Sequence, residues 1–551
     1  MDYEKLAELV FPDVKGSVDE LEARFPKRDL PEGAKVTRFA PSPTGYMHIG
    51  GLYAAMISEK IARQTGGVFY LRIEDTDKKR EVEGGVEEII RSLHQFGVEF
   101  DEGPFAGSPV IYAPYKQSER KEIYQIFVKE LMKKGLAYPC FCTAEELDEI
   151  RKKQEEAKVD IGYYGEYAAA RNLTYEEVEE KLAAGLPYVV RLKSPGAAGH
   201  TVVYTDPIRG EIHMPENIMD IVLLKSDGIP TYHFAHAVDD HLMRTNLVIR
   251  GDEWLASYPL HKQLFALCGF EEPEYVHIAP IMKAEGNGKR KLSKRKDPEA
   301  AVSYYEEQGY PAKSVLEYLM TIANSNYEEW HAANPEKTMD DFTLSLSKMP
   351  VSGALFDMAK LSDVSKEIIA AFPEETCYEK IMEWSAAHDA TIHAFGTQDK
   401  EGFLKTIRLW RMAGTRVRKD VAKWSDLAKM FGYIYLPEEE AVTEYEIDEK
   451  YQPEQMAQVI REYQKDLFLD NENWFCEMKE MGQRLGYCPN VKEYKKNPQD
   501  YKGSITDICT IVRVAVTGHK NSPDLATIMN VIGEERTRGR LERFLLQLSE
   551  L

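Results

Sequence analysis

The sequence predicts an α/β protein: a Rossmann-type parallel sheet, interrupted by an insertion and followed by an all-α region. Three observations carry this. First, the strand "VTRFA" (36–40), a loop punctuated by Pro and Gly, a helix-patterned run and the strand "VFYLRI" (68–73) stand in βαβ order. Such crossovers are right-handed and build parallel sheets. Second, charged helical stretches and β-rich segments mix over 108–205 before strand-like runs return at 220–240 and 245–254. Third, helical patterning continues from about residue 300 to the end.

Taken in order, residues 1–35 are polar, contain the turn-rich "FPKRDLPEG", and read as a helix and linker appended to the sheet. After "PSPTG", the residues Leu52, Met56, Ile57 and Ile61 mark one helix face, and Thr65-Gly66-Gly67 supplies the stop. Within the insertion, 145–158 and 175–184 read as helices, and "PYVVRLK" and "HTVVYTDPIRGEIHM" as strands. "DIVLLKSDGIPTYHFAHAVDD" and "TNLVIRGDEW" are expected to supply the second half of the sheet. In the last segment Leu541, Phe544, Leu545 and Leu548 share one helix face.

A chain of 551 residues exceeds what one core sustains, so several domains are expected. Lys plus Arg is 70 against 92 for Asp plus Glu, a net charge of −22 that by itself disfavours a polyanionic partner. Positive charge is concentrated, however: six of eight residues in "KRKLSKRK" (289–296) are basic, and seven in "KTIRLWRMAGTRVRKDVAK" (405–423). Confined basic tracks suit a polyanion met along one face; the alternative is solvated helix surface. No run of about 20 apolar residues and no apolar leader core is present, so neither membrane insertion nor secretion is expected, and a cytoplasmic location is the default expectation. Of seven cysteines only Cys140 and Cys142 are close, which favours reduced thiols over a disulfide scaffold.

Two short stretches carry chemistry. In "MHIGG" a histidine and two glycines fall where a strand passes into a helix. A helix N-terminus offers unpaired N–H groups to phosphate, Gly50 and Gly51 permit close approach, and His48 offers a donor to charge developing on a phosphoryl group. The competing explanations are a cap histidine and a simple turn. In "KLSKR" the pair Lys291 and Lys294, on a loop preceded by "EGNGKR", suits a segment closing over a triphosphate; alone it reads equally as surface.

Together the two stretches resemble the paired signatures of class I aminoacyl-tRNA synthetases. "RFAPSPTGYMHIGG", "YLRIEDTDKKR", "YHFAHAVDDHLM", "VIRGDEW" and "KLSKR" follow the order of bacterial glutamyl-tRNA synthetases, and "SGALFDMAKL" and "IVRVAVTGHKNSPDLATIMNVIGEERTRGRLERFL" are similar to their helical C-terminal half. The resemblance spans residues 36–551. It implies a Rossmann catalytic domain in two halves (36–107 and 206–300), an inserted domain for the acceptor end of tRNA (108–205), a helical stem-contact region (301–372) and an all-α anticodon-binding domain (373–551).

It also implies roles. ATP would meet His48, Gly50, Gly51, Trp254, Lys291 and Lys294, with His48 and Lys294 stabilising the transition state. Glutamate would meet Arg38, Ser42, Glu74, Tyr232, His236 and Arg250. A guanidinium fork grips a carboxylate in two places but cannot accept from an amide NH₂, so Arg250 is the position expected to choose glutamate over glutamine. A structural ion pair of Arg250 with Asp239 or Asp240 is the alternative. Candidates for RNA contact are Arg191, Arg408, Arg411, Arg416, Arg418 and Arg513.

Two departures matter. His236 stands where relatives often carry asparagine, which would make glutamate binding sensitive to pH. Cys140 and Cys142 correspond to part of a zinc site of some relatives, but "YYGEY" adds only tyrosines; two thiolates do not complete a tetrahedral site, so zinc is not expected. The expected reaction consumes Mg²⁺-ATP, forms glutamyl-adenylate and transfers glutamate to glutamate tRNA, with glutamine tRNA open as a second acceptor. A monomer is expected by analogy. A glutaminyl-tRNA synthetase, the nearest rival, carries a β-barrel design where this chain is helical.

Overall fold

A computed structural model describes residues 1–43, 45–77, 82–293, 295–467 and 472–550. It divides into two compact units, residues 1–304 with 316–357 and residues 305–315 with 358–551.

In the first unit, β1 (Val36–Phe39) and β2 (Val68–Leu71) pair in parallel, Val36 opposite Val68, joined by α3 (Ile49–Gln64). The helix begins three residues before Leu52, because the His48 side chain caps it. A second parallel pair, β8 (Leu247–Gly251) and β9 (Glu274–Ile278), is joined by α9 (Tyr258–Cys268). Asn246 bridges the pairs: its side-chain carbonyl accepts from Val36 N at 2.8 Å and its amide donates to Ala34 O at 2.9 Å.

The stretch 220–240 departs from the strand-like expectation. Only β7 (Val222–Leu224) is extended, and it joins an antiparallel sheet with β3 (Ala137–Cys140) and β4 (Val189–Leu192) of the insertion rather than the parallel sheet. Tyr232–Leu242 forms helix α8. Its residues from Phe234 through Asp240 are all buried, so it lacks the polar stripe that marks a surface helix. The hairpin β5 (Thr201–Asp206) and β6 (Gly210–Pro215) spans residue 205, the expected end of the insertion.

The N-terminal residues form two helices, α1 (Tyr3–Val10) and α2 (Val18–Arg24), held against α5 (Lys121–Lys133). Lys129 Nζ closes the carbonyls of Phe11 and Val14 at 3.0 and 2.8 Å and pairs with Glu8 at 2.8 Å. The second unit is helical apart from two-residue strands at 412–413 and 416–417. Its core gathers Phe403, Ile407, Trp410, Tyr463, Val512, Ile528, Leu541 and Phe544. The last helix, Leu525–Glu550, breaks at Gly533, whose φ of +83° favours glycine. Among the described residues no helix is long and apolar enough to cross a membrane.

Candidate active site

A cleft of about 1310 Å³ opens where the carboxyl ends of β1, β2, β8 and β9 meet the start of α3. Open α/β sheets place ligands at this edge. His48, Gly50, Gly51, Arg38, Ser42, Glu74, Tyr232, Arg250, Trp254 and Lys291 all line it, so the chain brings together residues from positions 38 to 291. Lys294 lies outside the described residues.

His48 is the N-cap of α3, and its Nδ1 accepts from Gly50 N at 2.9 Å. In the neutral ring this bond leaves the proton on Nε2, so capping and donating to a ligand are compatible. A Cβ on Gly51 would meet Met47 Sδ at 2.9 Å and the Phe39 ring at 3.4 Å, which explains the absence of a larger side chain there. Tyr232 and Trp254 lie side by side on the wall, ring centroids 4.4 Å apart.

Behind the wall runs a buried charge network. Asp240 accepts from Arg72 Nη1 at 2.6 Å and Arg38 Nε at 3.3 Å, and Arg72 Nη2 reaches Glu74 at 3.1 Å. Asp239 accepts from Arg120 Nε at 2.7 Å, Tyr124 at 2.8 Å and Gln117 at 2.9 Å. Burial pushes the Glu74 carboxyl up to about 7, against the pull of Arg72 and Arg38.

Arg250 belongs to neither set. It is 6 % exposed and, among the described residues, forms no ion pair with a carboxylate. Its Nε donates to His277 Nε2 at 3.0 Å, Nη1 to His261 Nδ1 at 2.8 Å and Nη2 to the Trp254 carbonyl at 3.3 Å. Its guanidinium lies 4.4 Å above the Tyr275 ring. Three of five N–H groups are thus used on neutral acceptors, and one remains on each terminal nitrogen. The alternative partners, Asp239 and Asp240, are occupied elsewhere.

His236 is fully buried on α8 and is not part of the cleft wall. Its Nδ1 lies 2.9 Å from Asp240 and its Nε2 2.9 Å from the Tyr275 hydroxyl. Burial pulls its pKa down to about 4 despite Asp240. The ring is therefore neutral near pH 7, so a pH dependence of glutamate binding that arises from it falls at more acidic values. Arg72, Asp206, His261, Tyr275 and His277 were not singled out in the sequence, where they fall in unremarkable strand ends and helix faces.

Two of the RNA candidates are buried. Arg191 is buried, donates to Asp220 O at 2.9 Å and lies 4.3 Å from the Tyr163 ring centroid. Arg411 is buried and donates to the carbonyls of Ala370 (2.8 Å) and Phe372 at the end of a helix. Both guanidinium groups are engaged by backbone carbonyls. Arg408 and Arg416 are exposed, Arg418 and Arg513 half-buried; Arg408 pairs with Glu374 at 2.6 Å and Arg418 Nε with Asp420 at 2.6 Å.

The thiols of Cys140 and Cys142 lie 3.6 and 3.3 Å from the Tyr163 hydroxyl, two sulfurs and a phenol where tetrahedral zinc takes four ligands. Among the described residues no group of three or more His, Cys, Asp or Glu is disposed to hold a metal. Magnesium that accompanies a nucleotide is generally held by phosphates and water rather than by a dedicated protein cage.

The cleft thus combines parallel strand ends, a histidine-capped helix start and arginines buried in its wall. Residues 35–363 match the family model for class I tRNA synthetases (E and Q), catalytic domain, and residues 492–545 match an anticodon binding domain. A Clostridium beijerinckii protein named glutamate–tRNA ligase is 50% identical over 99% of this chain and all of that protein. One from Clostridium perfringens (strain SM101 / Type A) is 48% identical with the same coverage. The crystal structure of a glutamate tRNA ligase from Elizabethkingia meningosepticum, in complex with its amino acid, aligns with a TM-score of 0.74 at 30% identity, over 93% of this chain and 99% of that one. The chain belongs to the glutamate–tRNA ligase family.

Proposed function

We propose that this enzyme, a glutamate–tRNA ligase, uses the cleft to activate L-glutamate with ATP and to pass the glutamyl group to the 3′ end of tRNA. The glutamate α-carboxylate attacks the α-phosphorus, pyrophosphate leaves, and a terminal ribose hydroxyl of tRNA then displaces AMP from the mixed anhydride. No side-chain nucleophile is needed; the protein contributes position and charge.

In this reading Arg250 takes the side-chain carboxylate with its two remaining N–H groups, and Arg38 lies on the same wall. Glu74 meets the α-ammonium, with Ser42 and Tyr232 as hydrogen-bonding neighbours. The N-terminus of α3 and His48 face the triphosphate, Lys291 and Lys294 close on it, and Trp254 borders the adenine side. Magnesium, when bound, neutralises the phosphate oxygens. The exposed Arg408 and Arg416, with Arg418 and Arg513, lie on the helical unit that would meet glutamate tRNA.

The observation that carries this reading is Arg250: a buried guanidinium at a cleft wall, with only neutral partners, is costly unless an anion arrives to complete it. The test is charging of a glutamate-tRNA transcript with labelled glutamate and ATP. Glutamyl-tRNA with AMP and pyrophosphate is expected; ATP hydrolysis without aminoacyl-tRNA would refute the reading.

A further inference from the structure

The Arg250 guanidinium is itself held by the hairpin that spans the end of the insertion. Asp206 ends strand β5 and is 1 % exposed. Its Oδ1 accepts from Ile208 N at 2.8 Å and Arg209 N at 3.1 Å, closing the hairpin turn, while Oδ2 accepts from His277 N at 3.0 Å and His277 Nδ1 at 2.9 Å. A carboxylate only accepts, so Nδ1 of His277 carries the proton and Nε2 keeps its lone pair. That lone pair receives Arg250 Nε–H at 3.0 Å. In the opposite tautomer two donors would face each other, and the guanidinium would have to turn.

We propose that Asp206 and His277 are positioning residues for Arg250, so that the β5–β6 hairpin sets how well the amino-acid pocket distinguishes a carboxylate from an amide. The hairpin is fixed to the sheet around this relay. The tilted rings of Tyr204 and Tyr258 pack with centroids 4.1 Å apart, Tyr204 donates to the Tyr275 carbonyl, and Arg209 pairs with Asp252 at 2.9 Å. No orientation of an asparagine amide at 206 preserves all four bonds, because both oxygens of Asp206 receive backbone N–H groups. The inference rests on the assignment of Arg250 to the glutamate side chain.

The test is steady-state charging by Asp206→Asn, His277→Phe, His277→Gln and Arg250→Gln, with each substrate varied in turn. Asp206→Asn and His277→Phe are expected to raise the KM for glutamate at least tenfold and to lower the preference for glutamate over glutamine by a similar factor. The KM values for ATP and tRNA should stay within twofold, a split that general loosening would not produce. His277→Gln, which can turn its amide oxygen toward Arg250, should recover most of the loss. Unchanged glutamate KM in His277→Phe, alongside a raised KM in Arg250→Gln, would overturn the relay alone. An unchanged KM in Arg250→Gln would overturn the assignment of Arg250 itself. If Asp206→Asn and His277→Phe do not fold, ¹⁵N NMR of the wild-type histidines decides: a protonated Nδ1 and bare Nε2 on His277 are expected, and the reverse refutes the relay.

Discussion

Asp240 accepts a 2.6 Å hydrogen bond from Arg72 Nη1, and both side chains are completely buried although 168 residues separate them in sequence. This pair ties the end of β2 to helix α8, and it sets the position of Arg38 on one side and Glu74 on the other.

Asp240→Asn leaves two buried guanidinium groups short of a counter-charge. Breaking one side of a buried pair costs about 3–5 kcal/mol. The urea transition of the catalytic unit, followed by tryptophan fluorescence, should move by an amount of that order. A shift below about 0.5 kcal/mol would mean that the network is not a structural anchor.

Glu74 predicts a pH profile. Its carboxyl titrates near 7 when the cleft holds no ligand, because burial opposes ionisation. The folded protein then binds more protons than the unfolded chain between about 4.5 and 7, so this group's contribution to stability falls as pH rises through that window. Binding of an ammonium needs the ionised form. The KM for glutamate should therefore rise roughly tenfold per pH unit below 7, and Glu74→Gln should flatten the profile while raising KM at pH 8.

His236 has the opposite sign. Its pKa in the fold, about 4, lies below the ordinary value of 6.5. The unfolded chain takes up its proton first as pH falls, so the stability this residue contributes is complete above about 6.5 and is lost on the way down to 4. Between pH 6.5 and 8, His236→Asn should leave the shape of the glutamate KM profile unchanged. A new inflection in that range would contradict a neutral ring.

Arg191 and Arg416 separate structure from RNA contact. Arg191→Ala removes a buried bond to Asp220 O and the contact with Tyr163, and should lower stability by about 1–3 kcal/mol. Arg416→Ala, on the exposed second strand of a short hairpin, should leave stability unchanged and raise the KM for tRNA severalfold, with a shallower salt dependence. Thermal melts and charging kinetics at two salt concentrations check both.

The first βαβ unit and the capped helix were legible because their signals are local: strand, punctuated loop and helix face lie within 36–71. Helix α8 was read as strand because its inner turns are buried on every side, and burial erases the 3.6-residue stripe. Arg250 was found through its motif, but its supports were not. His277 and Asp206 meet it through strand pairing between distant segments, and a single histidine in "YVHIAP" carries no periodic or motif signal. The burial of Arg191 and Arg411 was not legible for the same reason, since an arginine that seals carbonyls looks identical in sequence to one on the surface.

The most direct test of the account is the ratio of kcat/KM for glutamate to that for glutamine on a glutamate-tRNA transcript, measured for the wild type and for Arg250→Gln. A large wild-type preference for glutamate that falls on the order of 100-fold in the variant is expected, the scale of a lost charge-assisted pair. Equal preference in the two proteins would contradict the assignment of Arg250 as the group that selects the substrate.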